Sequence, residues 1–295
     1  MNKLWAMGLA VIMTAVTVCG CGSSDNNGAT NASGSASQGS QAVKVIDVDL
    51  TKEDYAFGVD KDQPELLEAA NEFIKEIKDN GKFEVICNKY FGDGEPTPVE
   101  SADLDSSKDQ LLVATNASFE PYEYMEGDKY LGIDMEVAAA LAEKLGKELV
   151  IQNMDFDSVC LSVGQHKSDI AMAGLTIKEE RKKYVQFTDP YYNASQRLIV
   201  KGDNTEFDSC KDAAAVEKIL KTKDKNDTIG VQNGTTGQLY CQGDKDMEFD
   251  GLDVTTTGYK NGSLAVQDLI NGNIDYVVID SAPAKCITDA INKIQ

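Results

Sequence analysis

Residues 111–151 read LLVATNASFEPYEYMEGDKYLGIDMEVAAALAEKLGKELVI and contain a strand–helix–strand pattern. LLVAT is short and apolar, which predicts a buried strand. The next helix is predicted by apolar residues at helical spacing: Ile133, Val137, Leu141 and Leu145. Gly146 ends this helix, and ELVIQ predicts the following strand. Such alternation is typical of an α/β fold, in which helices cover both faces of mostly parallel sheets.

The same alternation continues towards the C-terminus. Strands are predicted within 169–172, 196–200, 228–231, 253–256 and 275–279, and helices over 156–166, 211–221, from 235, over 263–271 and 281–293. Towards the N-terminus, residues 44–48 and 55–59 predict strands, and Pro64 opens an amphipathic helix. Residues 92–109 are acidic and contain two prolines, which predicts a linker.

Composition limits the possible partners. The formal net charge is −21 at pH 7. This excess of acid argues against nucleic-acid binding, since phosphate contacts need clustered Lys and Arg. It also argues against electrostatic attraction to anionic lipid. An anionic ligand group would therefore need one locally placed cation.

The first 20 residues predict an export signal, with Lys3 before an apolar core. Val18-Cys19-Gly20-Cys21 resembles a bacterial lipobox, in which Cys21 is the lipid attachment site. Residues 21–42 contain no aromatic and no large aliphatic residue, and they predict a flexible tether. We therefore expect an extracytoplasmic protein anchored to the bacterial cell membrane. An ordinary signal peptide or membrane anchor is the alternative.

The remaining cysteines show no metal-binding spacing. They are Cys87, Cys160, Cys210, Cys241 and Cys286. Buried free thiols are the first expectation, and a single Cys210–Cys241 disulfide is the alternative. The lone His166 is expected in a solvated loop, so a histidine metal site is not expected, and no cofactor is expected.

Four stretches resemble family 3 extracellular solute-binding proteins of polar amino acid ABC transporters, which have a type II periplasmic-binding-protein fold. They are residues 114–124 with 130–146, the DIAMAGLTIKEERKKYVQFTDPYY of 169–192, the IGVQNGTTGQLY of 229–240 with 275–284, and residues 43–92. The resemblance implies a two-lobed α/β protein with a ligand cleft. Lobe 1 would comprise residues 56–195, including the acidic linker 92–109. Lobe 2 would comprise 43–54 plus 201–295, with hinge crossovers near 55–59 and 196–200.

Residues 43–92 resemble the closing segment of that family, although they stand at the front of this sequence. The chain stops at VVIDSAPAKCITDAINKIQ, where that segment would normally begin. We therefore expect a circularly permuted member of the family. A fused gene fragment is the alternative. We expect a monomer, and a fragment could instead complete a second molecule in a swapped dimer.

By resemblance, the ligand is a free L-amino acid, and each of its groups has a partner. Arg181 of the ThrxxxxArg pattern would bind the carboxylate, because its fork can form two parallel charge-assisted bonds. Asp280 would bind the ammonium group, although Asp is also favoured as a helix cap. The other site residues are Gly174 and Thr176 beside the clamp, Thr235 and Thr236 at a helix start, Phe119 and Phe156 around the ligand side chain, and Asn116 and Gln232.

The two amides favour a polar, uncharged ligand side chain, and Thr236 could add a hydroxyl bond to the ligand carboxylate. The resemblance implies no catalysis, but delivery of the amino acid to a membrane permease. Two rivals stay open. One is a ligand-binding sensory module, and the other is a cyclohexadienyl dehydratase-like enzyme, which would need a general acid.

Overall fold

The computed structural model describes residues 41–294, so the export signal, Cys21 and most of the tether lie outside the described residues. The strands are β1 Val43–Val45, β2 Glu53–Tyr55, β3 Gly58–Asp60, β4 Gln110–Thr115, β5 Tyr124–Glu126, β6 Lys129–Leu131, β7 Glu148–Asn153, β8 Ile170–Ala171, β9 Val185–Phe187, β10 Tyr192–Ala194, β11 Gln196–Lys201, β12 Thr228–Gln232, β13 Thr255–Tyr259 and β14 Tyr276–Asp280. The helices are α1 Pro64–Asp79, α2 Lys82–Phe91, α3 Ile133–Leu145, α4 Phe156–Gly164, α5 Ala213–Leu220, α6 Thr236–Gln242, α7 Gly262–Asn271 and α8 Ser281–Ile294. None of these helices is long and apolar enough to cross a membrane.

Two five-stranded sheets define the two lobes. The lobe 1 sheet has the order β7-β4-β8-β3-β9, and the lobe 2 sheet has the order β1-β11-β14-β12-β13. The central pairs β4–β7, β4–β8, β12–β13 and β12–β14 are parallel. We expected mostly parallel sheets, and this is wrong for the other strand pairs. Both β3 and β11 run antiparallel to their two neighbours. Both strands enter their sheet from the other lobe, which reverses their direction.

The lobes are connected by a two-stranded ribbon in which β2 and β10 pair antiparallel, with Tyr55 opposite Tyr192. The predicted crossovers 55–59 and 196–200 are shifted relative to this ribbon. Of the first, residues 58–59 belong to β3 of the lobe 1 sheet, and the second lies wholly within β11 of the lobe 2 sheet. The apolar pattern runs on from ribbon to sheet, so the sequence alone does not mark the break between them.

Helix α1 shows why the local sequence predicts lobe 1 well. Pro64 stands at its first turn, where a missing N–H costs nothing. Its buried residues share one face at helical spacing: Leu66, Ala70, Phe73, Ile74 and Ile77. They pack into the same core as the apolar face of α3 and strand β4. Burying each of the four large side chains in this set contributes roughly 1.5–3 kcal/mol before the entropy cost of folding.

The predicted linker 92–109 lies along lobe 1. Val99 is buried and pairs with Tyr130 in an isolated bridge. The backbone N–H of Ala102 donates to the Leu149 carbonyl at 2.8 Å. This segment is therefore a fitted surface connection between α2 and β4. The five cysteines of the described chain are free thiols, so the alternative Cys210–Cys241 disulfide is not formed.

Candidate functional site

Nine of the ten candidate residues line one narrow cavity between the lobes, with a free volume of about 10 Å³. They are Phe119, Phe156, Gly174, Thr176, Arg181, Gln232, Thr235, Thr236 and Asp280. Arg181 and Asp280 are the charged side chains in this lining. The tenth candidate, Asn116, lies directly behind the cavity wall, where it is hydrogen-bonded to Gln232. A much larger, open groove lies beside the β2–β10 ribbon, but it shares only Thr176 with this set.

Arg181 is held in place by both lobes. Its Nη1 donates to the Thr176 carbonyl at 2.9 Å, and its Nη2 donates to the Gly234 carbonyl at 3.1 Å. The guanidinium carbon lies 5.1 Å from the centre of the Phe156 ring, a cation–π distance. Arg181 is 9% exposed, so it is not a solvated member of a basic cluster. A guanidinium has five N–H donors, so donors remain for a carboxylate.

Asp280 ends β14 and is buried. The Tyr55 hydroxyl donates to its Oδ1 at 2.5 Å. Burial, followed by the nearby charge of Glu53, raises the pKa of Asp280 to about 7. A carboxyl group in this state is stabilised in its ionised form by an added cation. The position therefore suits a ligand ammonium group.

The two candidate amides form an oriented pair. Asn116 Nδ2 donates to the Met154 carbonyl at 2.7 Å, which fixes the orientation of the amide because a carbonyl only accepts. Asn116 Oδ1 then accepts from Gln232 Nε2 at 3.0 Å. The Gln232 Oε1 atom is buried and has no partner in the described chain. This oxygen is an acceptor that calls for an N–H or O–H donor.

Gly174 is required by the close packing of aromatic rings around the cavity. Its φ of +53° lies in the left-handed region, which favours glycine. A Cβ at this position would stand 3.1 Å from the Phe119 ring and 3.3 Å from the Tyr55 ring. The Gly174 N–H donates to the buried Asp134 carboxylate at 2.9 Å, so the backbone is also fixed from behind.

The two threonines at the start of α6 use their hydroxyl protons within the protein. Thr235 Oγ1 donates to the Gln232 carbonyl at 2.8 Å, and Thr236 Oγ1 donates to Glu53 Oε2 at 2.8 Å. In this structure the single proton of the Thr236 hydroxyl is donated to Glu53, and the bond from this hydroxyl to a ligand carboxylate stays a prediction. The Thr236 side chain still lines the cavity.

Three further residues support the site, and no sequence motif marks them: Glu53, Tyr55 and Gln196. Glu53 and Tyr55 are both buried and stand two apart on β2, so they share one face of the strand. Gln196 Nε2 donates to Glu53 Oε1 at 3.0 Å and to Thr236 Oγ1 at 3.1 Å. The alternation of Glu53, Asp54 and Tyr55 was the available signal, but it did not reveal partners so distant in sequence.

The family described as bacterial extracellular solute-binding proteins, family 3, matches residues 111–282. This chain belongs to that family. The matched region includes every candidate side chain of the cavity. Residues 43–91 lie outside it, although they supply β1, the ribbon strand β2, β3 and two helices of lobe 1.

Relatives with known descriptions point to amino acids. The arginine-binding extracellular protein ArtP of Bacillus subtilis (strain 168) is 38% identical over 131 residues, which are 44% of this chain and 47% of that protein. The chain spans about half to two thirds of the length of the curated relatives it matches, from 47% to 65% in the first two.

Solved structures give the same two-lobed fold. An ancestral arginine-binding protein bound to arginine is 36% identical with a TM-score of 0.51, covering 62% of this chain and 75% of that one. The form bound to glutamine is 35% identical with a TM-score of 0.50, covering 62% and 74%. An ancestral amino-acid-binding protein, described as a precursor of cyclohexadienyl dehydratase, is 30% identical with a TM-score of 0.52, covering 61% and 74%.

Proposed function

We propose that this protein captures a free amino acid between its two lobes and delivers it to the permease of an ABC importer. The observation that carries the proposal is the charge pattern of the cavity. The charged lining residues are one guanidinium, Arg181, and one carboxylate, Asp280. A zwitterionic amino acid complements both, and burying its charges without such partners would be costly.

The side-chain end of the cavity favours a ligand with an N–H donor. Gln232 Oε1 offers an unpartnered acceptor there, and its orientation is fixed through Asn116. Asp280 is the acidic lining residue, and it is assigned to the ammonium group. A polar, uncharged side chain such as an amide therefore fits without a second acid. Arginine is the main competitor, since relatives are described as arginine-binding proteins.

Closure on the ligand follows from contacts that span the lobes. Arg181 already joins Thr176 and Gly234, and a bound amino acid would add bonds to both sides. Ligand would therefore favour the closed arrangement, as a shift between two populations requires. We propose that the closed form is what the permease recognises, and that the protein works outside the cytoplasm, anchored through Cys21.

A thermal-shift screen of residues 23–295 against the twenty amino acids, cystine and ornithine tests this function. Ligand at 1,000 times its dissociation constant should stabilise by about 4 kcal/mol, a shift of several degrees. Glutamine is expected to exceed arginine. Arg181→Lys should lose most of the shift while keeping a cooperative melt, because a lysine cannot replace the bidentate fork. A wild-type melt that no amino acid shifts would overturn the proposal.

The dehydratase alternative has its own test, since one structural neighbour is described as a precursor of that enzyme. We propose that the chain is not an enzyme and that prephenate is not converted. Incubation with prephenate and detection of an aromatic product measures this directly. Product formation that is lost in Asp280→Asn would favour the enzyme.

A further inference from the structure

Glu53 is a buried carboxylate that hydrogen-bonds to both lobes at the back of the cavity. It lies on the hinge strand β2. Its Oε2 atom accepts from Thr176 Oγ1 at 2.6 Å and from Thr236 Oγ1 at 2.8 Å. Thr176 lies between strands of the lobe 1 sheet, whereas Thr236 starts α6 of lobe 2. One oxygen atom thus joins the two lobes.

The Glu53 carboxylate is stabilised by hydrogen bonds from neutral side chains. Its Oε1 atom accepts from Thr51 Oγ1 at 2.6 Å and from Gln196 Nε2 at 3.0 Å. Within residues 41–294, Glu53 makes no ion pair. Together with Asp280 it places two buried acids beside the cavity, and the charge of Glu53 acts on Asp280.

The Glu53 carboxylate also fixes the direction in which the Thr176 and Thr236 hydroxyls point their protons. A threonine hydroxyl has one proton and two lone pairs, whereas an ionised carboxylate only accepts. Both threonine protons therefore point at Glu53. Thr236 Oγ1 uses one lone pair to accept from Gln196 Nε2 at 3.1 Å, and Thr176 Oγ1 retains both lone pairs. Towards the cavity, which both threonines line, the two hydroxyls present acceptors only.

We infer that Glu53 is a positioning residue that orients the bound amino acid, by making the Thr176 and Thr236 hydroxyls acceptors for its ammonium group. This inference rests on the proposed function. With Asp280 the hydroxyls form a set of acceptors that repels a carboxylate. The ligand carboxylate is left to Arg181, so the amino acid enters in one orientation.

The test compares Glu53→Gln and Glu53→Leu with Asp54→Asn. Asp54 is the adjacent residue of β2, is exposed, and bonds to Asn193. Its substitution removes the same charge from the same strand without touching the cavity. The probe is whichever standard L-amino acid stabilises the wild-type chain most, and affinity is measured by calorimetry on variants that melt cooperatively.

Both Glu53 variants should bind about 10- to 100-fold more weakly, the range expected when hydrogen bonds to a charged group are lost. Asp54→Asn should bind like the wild type. A folded Glu53→Gln or Glu53→Leu with the affinity of Asp54→Asn would overturn the inference. A wild-type chain that binds no amino acid would instead overturn the proposed function, so the two failures are distinct.

A mutant cycle separates positioning from a general structural role. The background variant carries Thr176→Val and Thr236→Val, which keep the shape of the side chains but remove both hydroxyls. At pH 8, where Asp280 is mostly ionised with or without the Glu53 charge, adding Glu53→Gln to this background should change affinity by less than about twofold, because Glu53 then acts through those hydroxyls. A loss as large as in the wild-type background would show that Glu53 acts by another route, and would refute the inference.

Discussion

Asp280 couples ligand binding to pH because it is buried without a cation in the described chain. Burial and the Glu53 charge raise its pKa to about 7. Near neutral pH, about half of the free protein holds a proton on this group, and an ammonium ligand displaces that proton. Affinity should therefore strengthen as pH rises from 6 to 8. Calorimetry in buffers of different ionisation enthalpy should detect proton release in the wild type.

The same residue has the opposite effect on stability without ligand. The folded-state pKa lies above the unfolded value, so between these values the folded protein binds more protons than the unfolded chain. The stabilising contribution is complete below the unfolded pKa and is lost as pH rises towards 7. Asp134, with a pKa raised by burial to about 7, and buried Glu123 act in the same direction.

Asp280→Asn isolates the contribution of Asp280 from those of Asp134 and Glu123. Its melting temperature should fall less steeply between pH 4 and 8 than that of the wild type, and proton release on binding should shrink. The same slope and the same proton release in both proteins would contradict this assignment.

At the scale of elements, an ion pair joins the segment between β8 and β9 of lobe 1 to the loop after α6 of lobe 2. Lys178 Nζ lies 2.5 Å from Asp244 Oδ1 and 3.4 Å from Asp246 Oδ2. The Lys178 side chain is 4% exposed, so the pair is largely shielded from water. Opening of the lobes would break it. We therefore expect it to stabilise the closed form.

Lys178→Met should speed ligand release at least tenfold, since breaking a buried pair costs about 3–5 kcal/mol and leaves Asp244 without its partner. Stopped-flow displacement of bound amino acid measures this rate. Lys182→Met is the matched control, because Lys182 pairs with Glu179 in the same segment but both side chains are exposed. Equal release rates in the two variants would count against a role in closure.

Local sequence patterns predict helices and strands better than they predict contacts between residues far apart in the chain. Pro64 and the apolar face of α1 could be identified because both signals lie within one helix. Arg181 and Asp280 could be identified because they stand in motifs that resemble a known family. The Glu53–Thr236 bond joins residues 183 positions apart, so no local pattern contains it. No local pattern predicts the pairing of β2 with β10 for the same reason, since strand pairing depends on a distant partner.

At the scale of the whole molecule, we propose that the order of the segments is circularly permuted. Residues 43–91 precede the matched region 111–282, yet β1 completes the lobe 2 sheet beside β11. Asn292 of α8 joins the two ends of this arrangement. Its side chain accepts from the backbone N–H of Ala42 at 3.0 Å and donates to the Val43 carbonyl at 2.9 Å.

A relinked chain tests the permutation. Residue 294 would be joined to residue 42 by a short Gly/Ser linker, and the chain would be opened within 92–109. Because Asn292 already contacts Ala42, the linker has only a short gap to close, and its entropy cost changes slowly with length. The relinked protein should melt cooperatively and show the same ligand-induced shift as the original chain.

A second relinked chain, opened within the buried strand β4, provides the control, since cutting a central strand removes backbone bonds on both of its sides. It should not fold. The contrary results would be that the chain opened within 92–109 fails to fold as well, or that it forms a dimer that persists on dilution. Either result would show that the segment 43–91 packs against a second molecule and not within its own chain. Retained binding by a monomer would instead show that the cleft depends on which segments meet and not on their order in the chain.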